Sequence, residues 1–484
     1  MAEIVVMGAG VAGLGAALGL DAQGHSVTVV EQDEPAPTTS GDAAFEVWDR
    51  RSVPQFRQAH GFSARSRTLL LRHAPGVLDR LARDGIEESN AFKLVAPPEI
   101  HEPDDDAFTG FMSRRPAFEL ALRLEAESRP NIRVLCPATV TGLVFAGEDR
   151  PSVVTGVRLA DSTVVRGDVV LDCGGRRSRV VRWLEAVGVS INERVQDCGI
   201  TYFTRYFRRT EASQLPIPLV FGIRSAIERL LVIGFPGDHD TFAITMAAAS
   251  WDDELRDLRH DWAWDAVAAS LPSVAPWVAP ENAVPLGSVA TMTGHRNVLR
   301  EFMPNGEPAV LGLLPVGDAL CTTNPAYGWG ASMALTYAFA ACDAIAEGID
   351  DLRALAVRYD RAVAAEAADV YTESAAGDRM LNYRWRNEPI PEFDAEEAER
   401  QSLIEEGVFP SIMRDAVLAR ALLRRTNLVE SPRALFDNPE VLAQALARRE
   451  KNRKYAAAQT TPREDVVQLI ATARRSGAVN GDAH

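Results

Sequence analysis

The feature that most constrains this chain lies at its start, where Gly8, Gly10 and Gly13 spell G-x-G-x-x-G between two apolar runs. Residues 3–7 read as a short buried strand, the alanine- and leucine-rich stretch to about Gln23 as a helix, and Val27–Val30 as a second strand. In that βαβ context each glycine has a physical task. The first permits a tight turn, the second lets backbone approach a pyrophosphate, and the third lets helix and strand pack closely. The helix N-terminus adds a dipole favourable to phosphate. Glu31 closes the second strand, where an acidic side chain accepts hydrogen bonds from an adenosine ribose. The pattern predicts a Rossmann-like dinucleotide site and leaves NAD and FAD both open.

A chain of 484 residues suits two packed domains plus an appendage, enough to bury a large cofactor. Hydrophobic residues at 46% and charged residues at 24% are ordinary for a globular enzyme and exclude a mostly disordered chain. The net charge of −16 argues against nucleic acid or an anionic membrane surface as partner, and points to a small molecule. Cys136, Cys173, Cys198, Cys321 and Cys342 are scattered, without a CxxC pair or metal-ligand spacing, so no metal site is predicted. A reduced cytoplasm fits these thiols. With neither a basic leader before an apolar stretch nor an apolar run of about eighteen residues, neither secretion nor a membrane span is expected.

The pattern further along predicts an α/β fold with an inserted sheet domain and a helical tail. Helical periodicity covers about Ala64 to Asp84 and Pro116 to Glu127, and strand patterns cover Arg133–Leu135, Thr139–Phe145, Val153–Leu159 and Val164–Leu171. Between residues 185 and 309 the chain reads as strands at Tyr202–Arg208, Leu219–Arg224, Arg229–Phe235 and Thr241–Met246. The Gly237-Asp238-His239-Asp240 turn makes the last two a hairpin. Strand character returns at Ala309–Val316, and a long helix begins near Ser332. The expected division is a discontinuous cofactor domain, 1–184 with 310–348, a β-sheet substrate domain, 185–309, and a helical region, 349–484, that covers the substrate domain or makes a subunit contact.

A second motif chooses the dinucleotide. Leu314-Pro315-Val316-Gly317-Asp318-Ala319, followed by Asn324-Pro325 and Gly328-Trp329-Gly330-Ala331-Ser332, resembles the second flavin motif of FAD-dependent monooxygenases related to aromatic hydroxylases and squalene epoxidase. The resemblance implies that Asp318 binds the ribityl chain, and that Gly317, Pro325, Gly328 and Gly330 lie along the flavin ring and its approach. Residues 51–60, with Arg51, Gln55 and Arg57, are similar to a segment beside the FAD in bacterial polyether-type epoxidases. Ser113 to Arg123 resembles the flavin-contacting arginine helix, with Arg115 as the cofactor residue. Val164–Arg179 resembles the strand and turn whose aspartate, here Asp172, lies near the cofactor phosphates. Together these segments cover about residues 3–345.

The sequence departs from that family in three places. Cys321 stands where the family commonly has histidine, Ser332 where it has asparagine, and Asp172-Cys173-Gly174-Gly175 replaces its Asp-Gly pair. The altered turn points toward a separate flavin reductase or a weakly bound NAD(P)H as electron source, with direct use of NAD(P)H the alternative.

The resemblance implies a monooxygenase that inserts one oxygen atom, by hydroxylation or epoxidation, through a flavin C4a-hydroperoxide. In that chemistry the cofactor reacts with molecular oxygen while the protein positions substrate and excludes water. No nucleophile–base pair is required. His60, Cys321 and Lys93 are the nearest candidate reactive groups; Lys93 lies in a segment faintly similar to the lysine-bearing one of flavin halogenases. Tyr202, Phe203, Tyr206, Phe221 and Phe235, with Tyr327 and Trp329 from the flavin loop, are the expected pocket wall, suiting a hydrophobic, aromatic or polyketide-like substrate of specialised metabolism. Aromatics of this kind also fill sheet cores, but Trp329 sits between two loop glycines, where little core is expected. A flavin halogenase, a flavin dehydrogenase or reductase, and a cyclase-like or sequestering protein that keeps FAD without redox turnover are the rival readings.

Overall fold

The computed structural model describes residues 1–147, 152–215, 224–456 and 461–481. Its centre is a five-stranded parallel sheet in the order Leu313–Pro315, Val169–Asp172, Glu3–Met7, Ser26–Val30 and Ile132–Leu135. These strands are mostly apolar and buried because both faces are covered, one by helices and the other chiefly by a small antiparallel sheet of Val140–Ala146, Ser152–Leu159 and Val164–Arg166. The register aligns Met7 with Val30 and with Asp172, and Asp172 with Pro315. Their carboxyl ends therefore share one edge, where α/β sheets place ligands.

Helices Val11–Ala22, Arg115–Glu127 and Gly330–Ala346 pack on this sheet. Helix Val11–Ala22 meets Gly330–Ala346 closely: a Cβ on Gly15 would lie 2.8 Å from Leu335, and one on Gly19 2.8 Å from the Cys342 sulfur. A second, antiparallel sheet runs in the order Arg224–Ile227, Leu230–Pro236, Thr241–Ala249, Ile200–Arg209 and Ala283–Pro285, with Ala290–Met292 also paired to Ile200–Arg209. One face buries Phe203, Phe207 and Phe242 against Trp264. The other faces the carboxyl edge of the parallel sheet across a cavity.

Three expected elements are divided. The strand expected over Ala309–Val316 is two, Val310–Leu311 and Leu313–Pro315, in different sheets, with Gly312 at φ +72° between them. The helix expected over 64–84 is two, Ala64–His73 and Pro75–Arg83, because Pro75 has no N–H to continue the first. The strand expected over Val164–Leu171 is also two, in different sheets. Between them Gly167 passes so near Glu3 that a Cβ would lie 2.8 Å from its carbonyl, and the Asp168 carboxylate accepts the Glu3 amide at 2.9 Å. The turn that admits the second strand beside Glu3–Met7 breaks the run.

The carboxy-terminal third is helical. Leu352–Arg386 is one helix of 35 residues, and Ala395–Ser402, Leu403–Val408, a π-helical turn, and Ala416–Thr426 fold over the open side of the cavity. Helix Arg463–Gly481 returns to the antiparallel sheet, where Val466 and Ile470 enter the Trp264 core and Arg463 pairs with both oxygens of Asp252, at 2.6 and 2.7 Å. No helix among the described residues is long and apolar enough to cross a membrane.

Candidate active site

One cavity of about 1430 Å³ runs from the glycine-rich turn, along the carboxyl edge of the parallel sheet, to the antiparallel sheet and the helical roof. At its first end Gly8 has φ +102°, and a Cβ there would press to 2.6 Å from the Cys173 carbonyl oxygen. Gly10 is different. Nothing lies within 4 Å of where its Cβ would be, and it faces the cavity at the start of helix Val11–Ala22, leaving the amides of the first turn open to an anion.

Beside this turn lies a buried ionic hub. The Arg50 guanidinium, only 3% exposed, reaches Glu31 at 2.5 Å, Glu119 at 2.6 Å and Asp33 at 3.3 Å, and donates to the Ala9 carbonyl at 2.9 Å. Burial opposes its charge, but Glu119, Glu31 and Asp33 outweigh burial and raise its pKa. Glu31 also accepts the Ala9 and Asp33 amides, at 2.8 and 2.9 Å. Glu119 passes the chain on to Arg115 Nε at 2.6 Å, and Arg115 touches His60 Nε2 at 3.2 Å.

At mid-cavity, burial pushes the Asp318 carboxyl up, against the pull of Arg115, Arg176 and Arg300 from three different elements. No donor among the described residues hydrogen-bonds this carboxylate, which leaves an acceptor facing the cavity for hydroxyl groups. Asp172 is instead held by the Gly174 amide at 3.0 Å and the Ser178 hydroxyl at 2.6 Å. Burial and the neighbouring Arg115 push His60 down to about 3, so its imidazole is neutral. Its Nδ1 faces the Gln58 carbonyl at 2.8 Å. Both nitrogens are thus engaged, and His60 helps to hold Arg115 in place.

The far end joins the loop at 324–330 to the roof. Asn324 caps its own turn by accepting the Ala326 amide at 3.0 Å, accepts the Tyr202 hydroxyl, and donates to Asp378 at 2.6 Å. Asn297 donates to the other Asp378 oxygen at 2.7 Å and accepts the Asn324 amide at 2.9 Å. Burial raises Asp378 from 3.8 to about 7, against the hydrogen bonds from Asn297, Asn324 and Cys198.

Residues 3–89 match the family model DAO, FAD dependent oxidoreductase. Among solved structures, the flavin-dependent brominase Bmp2 is similar at TM-score 0.59 and 15% identity, over 88% of this chain and 93% of that one. PqsL, a probable FAD-dependent monooxygenase from Pseudomonas aeruginosa, is similar at TM-score 0.56 and 16% identity, over 80% and 98%. The Diels-Alderase PyrE3 of the pyrroindomycin pathway is similar at TM-score 0.59 and 18% identity, over 88% and 80%. No curated protein sequence matches significantly. The chain has the fold of an FAD-dependent oxidoreductase.

The residues present fit the cofactor of that fold, on the open space at Gly10 and the unpartnered Asp318 carboxylate. Gly8, Glu31, Arg51, Gln55, Arg115, Asp172, Asp318, Pro325, Gly328 and Gly330 all line the cavity. Gly13 and Gly317 do not. A Cβ on Gly13 would lie 1.9 Å from the Gly8 carbonyl, and Gly317 packs on Ala12 and Ala334, so both shape the turns from behind.

Of the expected substrate wall, Tyr202, Phe235 and Tyr327 line the cavity. Phe203 does not, because side chains alternate along a strand and its face belongs to the Trp264 core. Tyr206 packs edge-on against Phe45, with its hydroxyl on the Gln58 carbonyl at 3.0 Å. Trp329 is 1% exposed, stacked on Tyr327 with Arg425 over its ring at 5.4 Å; the roof supplies the core that the loop alone lacks. Phe221 lies outside the described residues. Lys93 stands outside the cavity, 43% exposed, paired with Asp106 at 2.6 Å. Cys321 is buried with its thiol pushed up by burial and therefore unreactive.

Arg50 and Asp378 had no motif to announce them. A signal for Asp378 did exist: Gly377 interrupts a helix interior, where glycine marks a close approach. A Cβ there would lie 2.0 Å from the Tyr327 hydroxyl.

Proposed function

We propose that this chain is an FAD-dependent monooxygenase that inserts one oxygen atom, by hydroxylation or epoxidation, into a hydrophobic, aromatic or polyketide-like small molecule. One observation carries the reading. The cavity that begins at the dinucleotide turn continues past Asp318 and ends on an apolar wall of Ile233, Phe235, Ala247 and Met292, roofed by Leu381 and Trp385. Its 1430 Å³ exceeds the roughly 300–1,000 Å³ of a single small-molecule pocket, so it has room for a cofactor and a second ligand together.

FAD, bound and reduced, supplies the activation of molecular oxygen. This chain's residues do the rest. Gly10 and the first helical turn receive the pyrophosphate, Asp172 borders it, and Asp318 accepts from the ribityl hydroxyls. Arg115, held by Glu119 and His60, sets a fixed positive charge at mid-cavity. The apolar sheet and roof exclude water. Halogenation is the second reading, supported by the likeness to the brominase Bmp2, although Lys93 lies outside the cavity and would take no part in it. We place the enzyme in the cytoplasm, where the five thiols stay reduced, and assign its electrons to a separate flavin reductase.

The test is product mass. Holoenzyme, reductant, oxygen and bromide are incubated with a panel of aromatic and polyketide substrates. Gain of one oxygen supports the proposal. A bromine isotope pattern makes the enzyme a halogenase, loss of two hydrogens a dehydrogenase, and an isomer of unchanged mass a cyclase.

A further inference from the structure

Helix Leu352–Arg386 carries two fully buried carboxyl groups, treated in opposite ways. Glu373 is surrounded by cations: Arg400 at 2.6 Å, Arg425 at 2.8 Å and Arg433 at 3.5 Å. Burial opposes its charge, but Arg425 and Arg400 outweigh burial and hold its pKa below the usual range. Asp378 is also buried and on the cavity wall, yet no cation among the described residues pairs with it. Its neighbours are neutral donors, Asn297, Asn324 and the Cys198 thiol, with the acid Asp197 behind them. The phenols of Tyr202 and Tyr327 also face it, and burial keeps both protonated. His295 stands edge-on to Tyr202 at 5.9 Å, neutral and engaged by Arg176.

A buried acid kept only for structure would be compensated as Glu373 is, because an unpaired buried charge is costly. An acid left among neutral donors can instead gain and lose a proton without breaking an ion pair. Asp378 is bonded to Asn324, the first residue of the loop along the proposed flavin site. We propose that Asp378 takes up a proton when the bound flavin is reduced and releases it into the cavity during oxygen transfer.

The inference rests on the flavin monooxygenase reading above and adds the proton path to it. Electrons entering a poorly screened cavity add negative charge, which favours the protonated form of a nearby carboxyl. Oxygen transfer consumes substrate, dioxygen, two electrons from a reduced nicotinamide or reductase, and two protons; it yields oxygenated substrate and water. Asp378 supplies one of those protons to the oxygen atom that leaves as water, and the next reduction reprotonates it.

Proton uptake tests this without substrate or turnover. Holoprotein is photoreduced without oxygen in weakly buffered solution containing a pH-indicator dye. Near neutral pH the wild type should take up as much as about half a proton more per flavin than D378N, while at about pH 5 the two should agree, Asp378 being already protonated. Equal uptake at both pH values overturns the proposal, as does weaker flavin binding in D378N with an unchanged proton count, which marks a purely structural role. The reduced-minus-oxidised infrared spectrum of the wild type keeps the test decisive if D378N does not fold. A new protonated-carboxyl band supports the proposal, and its absence overturns it. Failure of the wild type to bind flavin at all overturns the flavin reading itself, and this proposal with it.

Discussion

Asn324 Nδ2 donates to Asp378 Oδ1 across 2.6 Å, fastening the loop at 324–330 to the last third of a 35-residue helix that begins after the α/β core ends. That bond makes the roof part of the site. It also gives stability a definite dependence on pH. Asp378 has a folded value of about 7 against an ordinary 3.8, so between those values the folded chain holds a proton that the unfolded chain releases. Its contribution is fully present below about pH 4, is lost as pH rises to about 7, and is flat beyond, a swing on the order of 4 kcal/mol. D378N lacks this slope. Its thermal midpoint relative to wild type should therefore move in its favour by several degrees between about pH 5 and about pH 8. A constant difference would show that Asp378 does not titrate in that window.

Arg50→Ala should destabilise the protein by about 3–5 kcal/mol, since it strands Glu31 as a buried carboxylate without its cation and leaves Glu119 to Arg115 alone. The loss should appear as a lower thermal midpoint together with lower FAD occupancy, because Arg50 also holds the Ala9 carbonyl of the glycine-rich turn. Arg50→Lys should recover little, as an ammonium cannot span three carboxylates. A wild-type midpoint in Arg50→Ala would show the hub to be dispensable.

Asp318→Ala should weaken FAD binding by about ten- to a hundredfold, the worth of one or two ribityl hydrogen bonds at about 1–3 kcal/mol. The folded protein should survive, since no described residue depends on this carboxylate for a hydrogen bond. Flavin fluorescence titration measures the change. Unchanged affinity would mean that the second motif is misassigned.

What the sequence disclosed and what it hid divide along a physical line. The turn at Gly8–Gly13 was legible because backbone constraints leave so few residue choices there, and the Thr241–Ala249 hairpin because its pattern is local. Which aromatic faces the cavity was not. Tyr202 and Phe203 are adjacent and alike in composition, and only strand register and the position of Trp264 send one to the cavity and the other to the core. Trp329 misled for the same reason, its burial being supplied by Arg425, distant in sequence. Arg50 sits beside Arg51, one 3% and the other 91% exposed, and nothing local distinguishes them. Asp378 is legible only through Gly377 beside it, whose missing side chain makes room for Tyr327.

The source of electrons gives the last prediction. Direct reduction requires nicotinamide to be held beside the flavin long enough for hydride transfer, with specific contacts to its phosphates and ribose. The sequence carries one glycine-rich dinucleotide motif, and its turn at Asp172-Cys173-Gly174-Gly175 is already committed: Asp172 to Gly174 and Ser178, and the Cys173 carbonyl against Gly8. Asp172 is thus turned toward its own loop and not toward a second nucleotide. Mixing the holoprotein anaerobically with NADPH or NADH, with and without an aromatic substrate, should leave the flavin band in place. Adding a flavin reductase should bleach it. Rapid bleaching by the nicotinamide alone would refute the two-component arrangement and would require a transient groove for the nucleotide, with the exposed Arg51 and the neighbouring Arg177 at the cavity rim as the first residues to replace.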